Sequence, residues 1–598
     1  MKTSPRKTTL FRLAAVVLGM MPFVLLEAGL RLFDVGRPGD ASDSLSGFNR
    51  NLPLFERQGS VYRTARARAP FFCAQEFPLV KPPDGFRIFC FGGSTVHGHP
   101  YQSDTAFPKW LEMELTGSDP AKSFQAVNCG GVSYASYRLA PLVKEVLGYK
   151  PDLIIVMTGE NEFLEDRTYQ SVKSHSGARA WLEDSAHSLR ILNVARYWIH
   201  GARSRASGDA TGADGAAHLS FEVKTRLDER GGYASYHRDD AWHDRVAAQF
   251  EESIRVIIAQ CHATGVPILL VKPGSNLRDC PPFKSEHRLS LAAEDEHAWQ
   301  GAFEEATTAE APVVGQAPRL PPNTGVSPSN IILKRPDFAG ETPRQAAGTA
   351  VPLSLAAALE LYRKAEKIDG DYALLDWRIA RILDRLDKKS EASEYYLKAR
   401  DHDVCPLRTP KRHEMILDRI ATETRTPLVD AAALFALKSP DGIPGNNWYL
   451  DHVHPTIGGH QKLAQAIAAQ LGELGLISKT ATWPEVQRRE AYHRQLQQLG
   501  ANYLADGRRR VEWLESWARR ERLLDENLPK DTRSFLHLGF RRLDFGDEEG
   551  AWESFREALK RDARAASLVK EHAQELKSEG REGAAGELLR QLEAAGAR

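Results

Sequence analysis

The sequence predicts an α/β protein built on a parallel sheet with helices on both of its faces. Several strand-length segments are almost wholly apolar, and three of them end in glycine turns. Strands that are buried on both faces lose the polar and apolar alternation of a half-exposed strand. Helical segments separate these strands, as parallel neighbours require. An internal repeat predicts additional units made only of helices.

The predicted strands and helices alternate along two parts of the chain. The first strand, RIFCFGG, ends in two glycines, and the third, DLIIVMTG, is apolar for nearly its whole length. Amphipathic segments such as FPKWLEMEL connect the strands. The strands are predicted at Arg87–Gly93, Phe124–Gly131, Asp152–Gly159 and Val266–Pro273, with a fifth strand and its exit at Thr426–Phe435, and the helices at Phe107–Leu115, Ser136–Leu147 and Trp242–Thr264.

Composition and cysteine spacing argue against two classes of protein. The 598 residues carry 79 basic and 79 acidic side chains. No nucleic-acid partner is expected, because such proteins need a basic excess to neutralise phosphates. The six cysteines form no C-x-x-C pair, so the sequence predicts no zinc site. A disulfide among Cys73, Cys280 and Cys405 is left open.

The N-terminus predicts a membrane helix. Basic residues precede the hydrophobic segment Leu10–Phe33, whose uncharged centre runs from Leu13 to Leu26. Basic residues on this side favour a cytoplasmic N-terminus, so the rest of the chain is expected on the exported side, periplasmic or extracellular. Residues 1–35 are interpreted as a single-pass anchor, which makes the membrane a partner. A cleaved signal peptide is the alternative, although no convincing A-x-A site follows.

An internal offset of 34 residues occurs in two regions. ALELYRKAEKID begins at Ala358 and ASEYYLKARDHD begins at Ala392, with small and aromatic residues at matching positions. The same offset relates Ala551 to Ala585 near the C-terminus. The period and pattern resemble the tetratricopeptide repeat, a helical hairpin that buries its face by stacking on a neighbour. Because such arrays bind peptides or proteins, protein partners are expected.

Ser94 is the first candidate for chemistry. It lies in FCFGGSTVHG, directly after the first strand and two glycines. Reactive groups collect at the carboxyl ends of parallel strands, and glycines let a substrate approach the main chain. A serine in an ordinary strand-to-helix turn or at a helix N-cap fits the same pattern. The flanking residues are not G-x-S-x-G, so the elbow of the α/β-hydrolases is not indicated.

The next two strand ends carry groups that could stabilise a negative charge. VNCGGVSYAS contains Gly131 and Ser133, and VMTGENEFLE contains Asn161. Attack on an ester creates an oxyanion, and each donor around it can contribute roughly 3 kcal/mol. The Ser94 amide, one amide of the second turn and the Asn161 side chain are candidate donors. Taken alone, Asn161 is better explained as a residue that caps a turn.

The segment DHVHP contains a candidate base and its acceptor. A weak serine hydroxyl needs a general base, and that base needs an acceptor that fixes its tautomer. Asp451 and His454 satisfy both needs if the loop folds back toward Ser94. His452 is the rival base, and a metal site or a capping aspartate are further interpretations.

Four blocks in this order resemble the SGNH hydrolases, the GDSL-like esterases and acyltransferases: GGST, the second glycine turn, GEN and D-x-x-H. The resemblance implies a flavodoxin-like three-layer α/β/α domain and ester chemistry without a metal or another cofactor. It implies Ser94 as the nucleophile, His454 as the base and Asp451 as the acceptor. The family's second-block glycine falls on Ser133. Whether the amide of Gly131 or of Ser133 completes the oxyanion hole is therefore left open.

The resemblance also divides the chain into domains. It covers residues 84–285 and 415–475, and the repeats at 353–404 interrupt it. A stretch at 305–350 is rich in Pro, Gly, Ala and Thr and is interpreted as an irregular linker. The second set of repeats belongs to a helical region at 485–598.

Together these patterns predict a membrane-tethered serine hydrolase that acts on acyl esters, either an O-acyl esterase or an acyltransferase. Acylated small molecules, glycans or lipids of the cell envelope are the expected substrates, with O-acetyl esters foremost. The alternative is a protein-binding scaffold of the tetratricopeptide type with a catalytically silent hydrolase domain. The presence of all three triad residues favours the enzyme.

Overall fold

The computed structural model contains two compact units. One consists of Met1–Phe283 together with Cys405–Arg598, and the other of Lys284–Val404. The described residues are 5–33, 35, 52–69, 71–173, 189–192, 194, 235–310, 350–477, 483–500, 503–504, 506–507, 510–511, 532, 535–536, 539–540, 548–562, 564–578 and 582–594.

A five-stranded parallel sheet lies in the first unit. Its strand order is β5-β4-β6-β7-β8, the 2-1-3-4-5 order of flavodoxin-like sheets. The predicted α/β class with a parallel sheet is therefore confirmed. The fifth strand is short, because a helix begins at Ala431. The strands are β1 (Phe55–Gln58), β2 (Val61–Thr64), β3 (Glu76–Pro78), β4 (Gly85–Gly92), β5 (Ser123–Gly130), β6 (Leu153–Met157), β7 (Ile268–Lys272) and β8 (Leu428–Asp430).

The helices of the first unit include all three that the sequence predicts, with somewhat different ends. They are α1 (Pro5–Leu32), α2 (Ser94–His97), α3 (Phe107–Ser118), α4 (Ser136–Val146), α5 (Glu162–Lys173) and α6 (Asp240–Thr264), followed after the second unit by α11 (Lys411–Thr424), α12 (Ala431–Lys438), α13 (Ile457–Glu473), α14 (Glu485–Gln498), α15 (Glu548–Arg561), α16 (Ala565–Ser578) and α17 (Glu582–Ala594). The second unit contains α7 (Ala293–Glu310), α8 (Ala350–Ile368), α9 (Ala373–Arg385) and α10 (Lys389–Asp401).

Apolar side chains on the two faces of the parallel sheet form two separate cores. In β4, Phe89 and Phe91 belong to one core, whereas Ile88 and Cys90 belong to the other. The first core includes side chains of α4, α6 and α11, and the second includes side chains of α3, α12 and α13. Because helices cover both faces, the strands carry the continuous apolar runs from which the sheet is predicted.

The small antiparallel sheet β1-β2-β3 is absent from the sequence-based prediction. Its strands have three or four residues, and FERQ exposes three of its four side chains. Such short polar segments have no apolar period to detect. Phe77 of β3 nevertheless packs edge-on against Phe89 of β4, with ring centroids 5.4 Å apart.

The unit Lys284–Val404 has a helical core. Trp299 is buried and donates from Nε1 to the Asp369 carbonyl oxygen at 3.1 Å. Tyr362 and Tyr396, which the repeat aligns, are both buried. The irregular linker predicted at 305–350 overlaps the end of α7, and residues 311–349 lie outside the described residues. The tetratricopeptide-like assignment stays a prediction.

The predicted single-pass membrane localisation is wrong. Within the described residues, no helix is long and apolar enough to cross a membrane. The uncharged centre of α1, Leu13–Leu26, is shorter than the ~20 apolar residues that a full span needs. Glu27 follows directly, and its carboxylate accepts hydrogen bonds from Arg31 Nε at 2.8 Å and from the amides of Arg190 and Ile191 at 3.1 and 3.0 Å.

Candidate active site

Ser94 lies at the first residue of α2, directly beyond the carboxyl end of β4. Gly92 in β4 pairs with Gly130 in β5 and with Met157 in β6, so the three strands end level with one another. A Cβ on Gly92 would lie 2.1 Å from the Met157 carbonyl oxygen, so the close approach of the two strands requires glycine. The serine is therefore at the edge where three strands end.

A continuous chain of hydrogen bonds joins Ser94, His454 and Asp451. His454 Nε2 lies 2.8 Å from Ser94 Oγ, and His454 Nδ1 lies 2.6 Å from Asp451 Oδ2. Because an ionised carboxylate only accepts, Nδ1 carries the hydrogen of a neutral imidazole and Nε2 is left to accept from the serine. All three residues are buried. The arrangement can activate a hydroxyl.

Asp451 is held in place by its own loop. Its Oδ1 accepts hydrogen bonds from the amides of Val453 at 2.9 Å and His454 at 2.8 Å. Burial acts to raise the pKa of Asp451, but the charges of His454 and His452 and their hydrogen bonds outweigh it. The net effect lowers the pKa well below its ordinary value. Asp451 therefore remains an acceptor.

His452, the rival base, lies near the same carboxylate oxygen as His454. Its Nδ1 is 3.4 Å from Asp451 Oδ2, and its ring meets the His454 ring edge-on at a centroid distance of 5.9 Å. The Phe283 ring packs against it at 5.1 Å. The fold brings His454, and not His452, to the Ser94 hydroxyl.

The amides around the second turn differ in what they donate to. The Gly131 amide donates to the Gly92 carbonyl oxygen at 3.0 Å, and the Val132 amide donates to Phe71 at 2.9 Å. Among the described residues, the amides of Ser133 and Ser94 have no acceptor. Ser133 has a left-handed backbone with φ 59°, which costs a non-glycine residue about 1 kcal/mol. Of the two second-turn amides left open, that of Ser133 is therefore the one without an acceptor among the described residues.

Asn161 lies between the turn that carries Ser94 and the second turn. Its Nδ2 donates to the Tyr134 carbonyl oxygen at 3.3 Å. The same nitrogen lies against Gly93, where a Cβ would be only 2.2 Å away. Because an amide nitrogen carries two hydrogens, one remains for a further acceptor.

The structure joins Thr95, the neighbour of Ser94, to Glu160, the neighbour of Asn161, although the sequence marks neither as a candidate. Thr95 Oγ1 donates to Glu160 Oε1 at 2.7 Å, and both side chains are buried. Burial is the main reason that the pKa of Glu160 is raised. The bond joins the residue after Ser94 to the residue before Asn161. The only sequence signal for Glu160 is its place inside the GEN block.

The parts of the chain that the structure describes contain no group of residues suited to bind a metal ion and no disulfide bond. Within them, no three His, Cys, Asp or Glu side chains are grouped closely enough to hold a metal ion. All six cysteines are described and buried, and no disulfide joins any two of them. The disulfide left open among Cys73, Cys280 and Cys405 is therefore absent.

Comparisons with known proteins find similarity among solved structures, where three chains match. No family model matches the sequence, and no curated protein matches it. Among solved structures, the chain is similar to the crystal structure of Axe2, an acetylxylan esterase from Geobacillus stearothermophilus. The two sequences are 13% identical, the match covers 65% of this chain and 94% of that chain, and the TM-score is 0.26.

Proposed function

We propose that this chain is a serine hydrolase of the SGNH type that acts on acyl esters. One observation carries the proposal, the hydrogen-bonded series of Ser94 Oγ, His454 Nε2 and Nδ1, and Asp451 Oδ2 at 2.8 and 2.6 Å. The three groups come from the end of β4 and from one loop 360 residues later. A buried hydroxyl, imidazole and carboxylate in this order are the parts of a nucleophilic triad.

In the proposed reaction, His454 Nε2 takes the hydroxyl proton while Ser94 Oγ bonds to the acyl carbon. Asp451 orients the imidazole and stabilises its charged form. The tetrahedral intermediate then expels the alcohol, to which His454 returns the proton, and an acyl-serine remains. A water molecule or a hydroxyl of a second substrate attacks this ester. His454 removes the proton of the attacking group and delivers it to Ser94 Oγ, which restores the enzyme.

Three donors are proposed for the oxyanion: the amides of Ser94 and Ser133 and the Nδ2 group of Asn161. The two amides have no acceptor among the described residues. Asn161 Nδ2 donates one of its two hydrogens to the Tyr134 carbonyl oxygen, so the second can be donated to the oxyanion. The bond from the Gly131 amide to Gly92 supports Ser133 as the second-turn donor. Each donor of this kind contributes roughly 3 kcal/mol to transition-state stabilisation.

Esterase and acyltransferase activity share every step up to the acyl-serine. Acylated small molecules, glycans or lipids remain the proposed substrate class, with O-acetyl esters foremost. The helical unit Lys284–Val404 is proposed to bind a protein partner, in the manner of the tetratricopeptide repeats that its 34-residue period resembles. The chain would then be an enzyme that a partner recruits.

A serine-directed fluorophosphonate probe tests the nucleophile in the full-length protein. The probe should phosphonylate Ser94 with loss of fluoride, and mass spectrometry of the digest should locate the adduct there. The variant Ser94→Ala should neither react nor turn over activated acyl esters. Ser567→Ala is the matched control, because Ser567 is an exposed serine on α16. Folded wild-type protein that remains unlabelled would instead favour the catalytically silent scaffold.

A further inference from the structure

His99 is tied to the nucleophile through the backbone. It follows α2, and its amide donates to the Ser94 carbonyl oxygen at 3.1 Å. The Gly98 amide donates to the same oxygen at 3.0 Å, and Gly98 has a φ of 94°, which favours glycine. The chain therefore turns back at this point and holds His99 at a fixed position relative to Ser94.

The His99 side chain lies directly beside the triad. Its ring meets the His454 ring at a centroid distance of 5.3 Å and an interplanar angle of 62°. The residue is only 5% exposed. Burial, aided by the charges of His454, His97 and Arg510, lowers the pKa of His99 well below its ordinary value. A neutral imidazole therefore packs against the ring of the proposed base, His454.

One ring nitrogen of His99 has an unmet hydrogen bond. Its Nε2 is buried and has no partner among the described residues. Leaving a buried polar atom without a partner costs about 1–3 kcal/mol. Such an atom requires an explanation, and a ligand that binds beside it is one. The position next to His454 indicates which part of a substrate would arrive there.

In the proposed mechanism, His454 returns its proton to the oxygen of the departing alcohol. Groups on that alcohol therefore lie near the His454 ring, and His99 is packed against this ring. We propose that His99 is a substrate-binding residue whose Nε2 forms a hydrogen bond with a second hydroxyl of the alcohol part. The preferred substrates are then esters of polyhydroxylated alcohols, the class to which sugars belong. This inference rests on the proposed function.

The test compares two acetate esters that differ by one hydroxyl, 1,2-propanediol monoacetate and propyl acetate. The ratio of their kcat/KM values measures the contribution of that hydroxyl. Wild-type protein should favour the diol ester by at least about tenfold, because a site built to bind a hydroxyl rejects an analogue that lacks it. His99→Phe keeps a ring of similar shape but removes the nitrogen, and it should abolish the preference. His99→Gln places an amide near Nε2 and should restore part of it.

Thermal denaturation of the same variants separates binding from a structural role. His99→Phe removes a buried polar atom that has no hydrogen-bond partner among the described residues. The melting temperature of this variant should therefore equal or exceed that of the wild type. His460→Phe is the comparison. The buried His460 also has an Nε2 without a partner among the described residues, but its Nδ1 accepts from the Phe107 amide at 3.2 Å. That variant should melt at a lower temperature, since it leaves the amide unpaired.

The outcomes distinguish this inference from the proposed function. An active protein whose preference for the diol ester is absent, or survives in His99→Phe, would overturn the substrate-binding role alone. A His99→Phe protein that is strongly destabilised and keeps the preference would assign a structural role to the ring. Wild-type protein that turns over neither ester and resists the fluorophosphonate would overturn both proposals.

Discussion

Arg510 donates from Nε to the Pro100 carbonyl oxygen at 2.6 Å, although 410 residues separate them. The same C-terminal segment makes further contacts with this loop. Tyr503 Oη lies 3.0 Å from Thr105 Oγ1, and Gln495 donates to the Asp104 carbonyl oxygen at 3.3 Å. Part of the region predicted as a C-terminal addition therefore packs on the loop that follows the nucleophile.

Arg510→Gln should lower kcat more than it raises KM. The substitution removes the buried guanidinium that fixes Pro100, and the adjacent His99 ring packs against His454. Loss of positioning of this kind reduces turnover by about tenfold to a hundredfold. Steady-state kinetics with an acetate ester measure the effect. Arg489→Gln, which changes an exposed arginine on α14, is the control and should leave kcat unaltered. Equal kcat values for the two variants would contradict the prediction.

Asp451→Asn should abolish most of the activity without unfolding the protein. The asparagine oxygen can still accept from the amides of Val453 and His454. Its amide nitrogen would then face His454 Nδ1 and favour the tautomer with the hydrogen on Nε2, which cannot accept from Ser94. A loss of roughly 10⁴-fold in kcat is expected. The measurement is kcat together with the circular dichroism spectrum.

The control for this substitution is Asp244→Asn, because Asp244 is an exposed aspartate that pairs with Arg412. It should retain full activity. If Asp451→Asn lost less than about tenfold in kcat, the orientation of the imidazole would not depend on this carboxylate.

Glu160→Gln should change how stability depends on pH. Burial raises the pKa of Glu160, so folding favours its protonated form. Its stabilising effect is complete below the pKa of the unfolded chain and is lost as the pH rises through the higher folded pKa. The glutamine can still accept from Thr95 but never ionises. Relative to wild type, the variant should therefore gain stability as the pH rises.

Urea unfolding at a series of pH values measures this effect. The free energy of unfolding of Glu160→Gln should exceed that of wild type at about pH 8, and the difference should shrink toward about pH 4. Glu252→Gln is the control, because Glu252 is an exposed glutamate on α6. A constant difference across the range would show that Glu160 does not titrate in the way its burial indicates.

Local sequence patterns could predict the sheet and the contact between Asp451 and His454, whereas the pairing of His454 with Ser94 was predicted only from the resemblance of four blocks. The apolar runs of β4 and β6 have the composition of strands that are buried on both faces. Asp451 and His454 lie on one loop, so their spacing alone could suggest their bond. The two glycines before Ser94 marked the turn at the end of its strand.

Contacts between distant parts of the chain could not be predicted in this way. Nothing in the sequence relates Arg510 to Pro100, because their approach depends on how the helices pack. That His99 Nε2 lacks a hydrogen-bond partner can likewise be recognised only when the surrounding residues are known. The prediction of a membrane helix at the N-terminus was wrong for a different reason. Its composition fits a membrane segment, but its uncharged centre, Leu13–Leu26, is too short to span one.

His413 is expected to position the turn that carries Asn161. Its ring stacks between Phe163 and Phe250, with centroid distances of 5.3 and 4.5 Å, and its Nδ1 lies 3.2 Å from the Gly159 carbonyl oxygen. A carbonyl oxygen only accepts, so Nδ1 must carry the hydrogen. Burial lowers the pKa of His413 to about 4, which keeps the ring neutral at physiological pH.

His413→Phe keeps a stacked ring but leaves the Gly159 carbonyl oxygen without its donor. The turn should then hold Asn161 less well, and kcat should fall by about tenfold. His413→Asn, whose amide nitrogen replaces Nδ1, should lose less. In a double-mutant cycle with Asn161→Ala, the losses in kcat, expressed as changes in activation free energy, should be less than additive. Both variants impair the same donor. Additive losses would mean that His413 supports the fold without acting through Asn161.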